Sequence, residues 1–252
     1  MHRPRQALTG TKLQVKRMLG STFQRGERTK AMNKATRINV ATLGTIFGIS
    51  GVSHGFFEAL QGNVSTNSFF IYAIGEAQKM WSHGNEPAFT LLPSFLLAGI
   101  ASMLVGCAII LWSLGFVHRR NGPTILLLLF LTLLLVGGGI AQILFFPFIW
   151  LVSTRIQQPL TWWRKILPIQ SRKPLAMLWP WSLAISAGLL VFALIIATTG
   201  FVPGVRDSEV ILSIMLVCLG MEVIALPLTF VTGFVYDIAV EPTTAMWKEV
   251  PL

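Results

Sequence analysis

Charge is scarce in this chain, and its absence from long stretches decides the protein's class. Only 12% of the 252 residues are Asp, Glu, Lys or Arg, against 53% hydrophobic, and the charges cluster at the ends and in the connections. The segments between them are too apolar to be solvated by anything but lipid, which excludes a soluble globular domain. Cysteine is nearly absent too. Cys107 and Cys218 are the only two, and both lie inside apolar stretches, where a thiol behaves as a small apolar side chain. This argues against a disulfide and against a cysteine-held metal. There is no HExxH, no G-x-S-x-G, no Walker loop and no dinucleotide fingerprint, and the aqueous segments are too short for a catalytic domain. The chain therefore reads as noncatalytic, with no cofactor. No internal repeat of roughly 20–50 residues is visible, so nothing points to the duplicated halves of many secondary transporters.

What the chain does have is five apolar segments, at about 38–60, 92–117, 124–153, 179–202 and 210–235. Four have a single spanning length. In hydrocarbon only helices or closed barrels satisfy the backbone, and long uninterrupted apolar runs exclude a barrel. The expected fold is an all-α integral membrane protein: a basic, flexible cytoplasmic tail at 1–37, a helical membrane domain at 38–236 with an external loop at 61–90, and a short C-terminal tail at 237–252. The tail carries ten Lys and Arg residues against a single Glu27 and supplies most of the net charge of +10. It sets the N-terminus inside and suits anionic lipid headgroups rather than nucleic acid. Met32 opens a segment, MNKATRINVATLG, that has the look of a natural start.

The third segment, 124–153, is longer than the rest and is broken near its centre by Gly137, Gly138 and Gly139. If it crosses, making five transmembrane helices, the basic residues near the membrane divide eight inside to seven outside. If it dips in and returns, they divide thirteen to two. The positive-inside rule prefers the second arrangement, a bundle of four transmembrane helices plus a re-entrant helical hairpin. Each arm is then about 18–21 Å long, enough to pass the midplane but not to span. The turn must be enclosed by protein or line a wet cavity.

Gly44, Gly48, Gly51 and Gly55 alternate at steps of four and three along the first helix and form one packing face. Ser102 with Gly106, and Ala184 with Gly188, give two further small-xxx-small pairs. His54 and Glu58 are an i, i+4 polar pair at the helix's outer end. They suit a proton relay or half a metal site, but a metal needs more ligands. The external WSHGNEP offers His83 and Glu86 alone, so hydrogen bonding is expected there rather than a metal. Glu222 lies about 18 Å into the last span, near the bilayer centre, with Thr229 on the same face. At a similar depth the glycine turn and Gln142 are expected to adjoin it and form an intramembrane polar site.

The external segment 61–90 is expected to cap the bundle mouth, with Phe69, Phe70, Tyr72 and Trp81 at the interface. The segment LTWWRKILPIQSRK, 160–173, reads as basic and aromatic, lying in the cytoplasmic headgroups. Together these features suggest a small plasma-membrane transport or channel-like protein moving a proton, cation or small polar solute. The alternative is a noncatalytic scaffold or accessory subunit that assembles with itself or with a partner membrane subunit.

Overall fold

A computed structural model describes residues 32–246; the basic tail lies almost wholly outside the described residues. From Lys34 the chain runs to Leu60 without a proline and forms one helix, α1 (Lys34–Leu60). The following residues cannot extend it, because Gly62 adopts φ +79°, and the chain enters the loop. There β1 (Phe70–Tyr72) and β2 (Pro87–Phe89) pair antiparallel with Phe70 opposite Phe89. Helix α2 (Phe95–Gly115) is capped by Ser94, whose Oγ accepts from the Leu97 amide. Then come α3 (Gly122–Val136), with proline in its first turn, a 3₁₀ turn (Ala141–Leu144), α4 (Phe146–Ser153), short α5 (Thr161–Ile166), α6 (Ile169–Thr199) and α7 (Ser208–Met246). The last helix runs past the boundary expected at 236.

Four helical stretches, Lys34–Leu60, Phe95–Gly115, Ile169–Thr199 and Ser208–Ala239, are long and apolar enough to cross a membrane. This fits an all-α membrane protein. The outward faces agree: Leu104, Leu111, Val217 and Ile224 are all well exposed, which would be a liability in water but not in lipid.

Two ends of the bundle are defined by hydrogen bonds. At one, the terminal end, the Asn33 amide donates to Ile156 O at 2.9 Å, the Asn33 side chain donates to the Arg155 and Gln158 carbonyls, and the Gln157 side chain donates to His118 O. At the other, the loop end, the Leu91 amide donates to Leu135 O at 2.9 Å and the Ile140 amide to Pro87 O at 3.2 Å. The chain thus leaves the terminal end near His118, reaches the loop end at Val136 and returns to the terminal end by Ile156. Residues 122–156 form a folded-back pair of arms, with the three glycines at the bend.

The core is built from these arms against α1. Phe130 meets Phe47 edge-on, with ring centroids 6.3 Å apart, and stacks on Phe146 at 5.5 Å. Between α1 and α2 the backbones approach closely. A Cβ on Gly55 would stand 2.5 Å from the Gly99 carbonyl oxygen, and one on Gly106 2.7 Å from the Gly48 carbonyl oxygen. The glycine face is divided, however. Gly44, Gly48 and Gly55 meet α2, whereas Gly51 meets Leu133 of α3, because steps of four and three spread the stripe around a 3.6-residue helix. Ala184 and Gly188 are exposed and do not pack helices together. The buried face of α6 carries Ser182, Ser186 and Ala193 instead.

Candidate functional site

His54 and Glu58 sit one turn apart at the loop end of α1, both buried. Their neighbours include two of the bend glycines, Gly137 and Gly139. Gly137 and Gly139 have φ +121° and +91°, conformations open to glycine but strained for other residues. Neither position has room for a side chain. A Cβ on Gly137 would run into the Glu58 carboxylate, and one on Gly139 would stand 2.7 Å from the His54 ring. Gly138 packs on Leu133. All three glycines are buried.

The sequence expectation that the bend adjoins Glu222 is therefore corrected. Depth along each segment gave that expectation, but the bend lies at the loop end, where the external segment comes down to meet it through the Thr90–Val136 bridge. Gln142 follows the bend, its amide donating to Gly138 O and, at 3.2 Å, to Ser50 Oγ of α1. Glu222 belongs to a different contact. Fully buried between α6 and α7, it accepts from Ser186 Oγ at 2.6 Å. Thr229 lies further toward the terminal end. Its hydroxyl donates to the Ser182 and Ala225 carbonyls, and its own carbonyl accepts from Asn39 of α1.

Beside His54 lies a half-open cavity of about 220 Å³ between α1, the 3₁₀ turn, α6, α7 and the external segment. Its walls are mainly apolar, including Phe47, Phe145, Leu190, Ala193 and Leu219, with Ser50, His54, His83, Asn85, Glu86 and Gln142 as the polar lining. Glu222 is not among the lining residues. Glu86 reaches over from the external segment, and its Oε2 contacts His54 Nε2. Burial alone would push the Glu86 carboxyl up, but the imidazole's charge and hydrogen bond outweigh it and hold the carboxyl below the ordinary carboxylate value. The other ring nitrogen, His54 Nδ1, is buried without a hydrogen-bond partner among the described residues, as are both oxygens of Glu58.

The external segment is fastened to α6 and α7 as well. Trp81 Nε1 donates to Ala197 O at 3.0 Å and its ring covers Gly200, while His83 Nε2 lies 2.8 Å from Glu209 Oε1. Phe69, Phe70 and Tyr72 remain exposed. Among the described residues no group of three or more His, Cys, Asp or Glu side chains is arranged to hold a metal ion. The histidines and Glu86 are instead divided into His54–Glu86 and His83–Glu209.

Two residues that sequence reasoning passed over carry structural weight. Ser50 stands on the helix face just before His54 and gives the cavity a hydroxyl. Asp237 of α7 caps α1: its oxygens accept from the Ala35 and Thr36 amides at 2.8 and 2.9 Å and from Thr36 Oγ at 2.7 Å. A carboxylate at a helix N-terminus satisfies unpaired amides and the helix dipole. An aspartate so far from α1 in sequence gives no local sign of this pairing. Compared with known proteins, the chain matches no family model, no curated protein and no solved structure.

Proposed function

We propose that this is a small plasma-membrane transport or channel-like protein, with the N-terminus cytoplasmic, four transmembrane helices and the 122–156 arms as a re-entrant hairpin. It moves a proton, a cation or a small polar solute through the loop-end cavity. The observation that carries this reading is the cavity itself. A broken apolar hairpin, two helices of the other half and an external cap meet around one ionisable pair, His54–Glu86. Irregular backbone at this depth is tolerated where it lines such a space, and ionisable groups in membrane proteins mark ion and solute routes. The basic segment with Arg155, Lys165, Arg172, Lys173 and exposed Trp162 suits anionic headgroups of the inner leaflet, which supports an outward-facing cavity.

The test is flux. Full-length protein in liposomes, given gradients of protons, alkali cations or small amines, is expected to pass one of them. Glu86→Gln and His54→Ala lose that flux, and Glu222→Gln keeps it. Absence of flux under every gradient overturns the reading. One observation favours the alternative of a noncatalytic scaffold: Glu222, the acid deepest in a span, is packed on Ser186 away from the cavity, as a residue that joins helices would be.

A further inference from the structure

We infer that the outer cavity binds a small organic monocation, an ammonium carried on a hydrocarbon group, through the Glu86 carboxylate. The inference rests on the transport reading for its physiological role and deepens it by naming the solute class, but the binding event stands on the geometry.

Charge is the first argument. Among the described residues no lysine or arginine lines the cavity, and Glu86 is the one carboxylate in the lining. The remaining ionisable lining groups are His54, held on Glu86, and His83, held on Glu209. The permanent charge of the wall is therefore negative, and an anion would meet a carboxylate with no fixed cation to offset it. Shape and polarity supply the second. At about 220 Å³ the cavity lies below the roughly 300–1,000 Å³ of drug-sized sites, and its walls are mostly hydrocarbon. Phe47 and Phe145, packed on each other with ring centroids 6.0 Å apart, belong to that apolar wall. A hydrated metal ion gains little from such walls, whereas an ammonium with an apolar body fits both halves.

The third argument is an unpartnered polar atom. His54 lines the cavity and its Nε2 contacts Glu86, while its buried Nδ1 has no hydrogen-bond partner among the described residues. The α6 wall, Leu190, Ala193, Leu194 and Ala197, is apolar, so the ammonium is held at the Glu86 side of the cavity and the hydrocarbon group at the other.

An isosteric charge series tests this on the full chain in detergent, by titration calorimetry. Benzylammonium is expected to bind, benzyl alcohol to bind about tenfold more weakly or less well still, and benzoate not to bind, in line with the strength of a charged hydrogen bond. Glu86→Gln should lose the preference for the cation over the alcohol. Equal binding of benzoate or no binding of any probe overturns the inference. Both readings use the unmutated protein, so a poorly folded variant cannot decide the result. Cation binding without flux would sink the transport role alone, and proton flux without cation binding would sink the solute class alone.

Discussion

His54 Nε2 on α1 meets Glu86 Oε2 on the external segment, so a side-chain contact, with no backbone bond between the two residues, joins α1 to the external segment at the cavity. The acid dependence of that contact follows from Glu86. Its folded carboxyl is held below the ordinary value of 4.5, so the pair's stabilisation is fully present above that value. It is lost as pH falls through the lower folded value. The melting temperature in detergent is expected to drop on acidification below about pH 4.5, and Glu86→Gln should flatten that part of the profile. An unchanged profile in the variant would show that other carboxylates control it.

The folded-back arms place Gln158 at the Asn33 end of the bundle, and the proposed topology puts Gln158 and Lys173 inside and Asn63 outside. With Cys107 and Cys218 removed, single cysteines at Gln158 and Lys173 should resist an impermeant thiol reagent until cells are lysed, while one at Asn63 labels at once. Labelling of Gln158→Cys from outside would give five crossings.

Close backbone contact between α1 and α2 depends on Gly106, where a Cβ would stand 2.7 Å from the Gly48 carbonyl oxygen. Gly106→Leu is expected to cost roughly 1–3 kcal/mol by overpacking. Gly188→Ala, with no atom within 4 Å of the new Cβ, should be neutral or gain about 0.5–1 kcal/mol from helix propensity. Denaturant titration in mixed micelles measures both.

At Gly139, φ +91° and the His54 ring both oppose a side chain. Gly139→Ala should lose on the order of 1–2 kcal/mol from the backbone alone and, by displacing His54, weaken benzylammonium binding. Retention of both stability and binding would mean that the bend is not held as described.

Ser186→Ala removes the hydrogen bond to Glu222. An intramembrane bond of this kind is worth about 1 kcal/mol, so the variant should be modestly less stable and fully active in flux assays. Loss of flux with normal stability would return Glu222 to the functional site.

The bundle's helices were largely legible in the sequence, because long apolar runs and the backbone's need for internal hydrogen bonds leave little choice in lipid. The glycine bend at Gly137, Gly138 and Gly139 was legible too, as a break in a run too long for one crossing. Its neighbours were not. Depth along each segment suggested Glu222, but depth says nothing about which helix stands beside which. The partner of the bend was fixed by the approach of β2 and Thr90 to Val136, a contact between residues far apart in the chain.

The same division runs through the candidate site. The sequence by itself determined that the protein consists of apolar helices, and it singled out His54, Glu58 and Glu86 as rare ionisable groups at one end, since composition and periodicity are local properties. Only the tertiary structure decided that His54 pairs with Glu86 while His83 pairs with Glu209, that Asp237 caps α1, and that a cavity lies between α1 and the α6–α7 pair. Those outcomes depend on how buried polar groups are matched when distant helices pack. The matching is settled by the cost of leaving any one of them unpaired across the whole bundle.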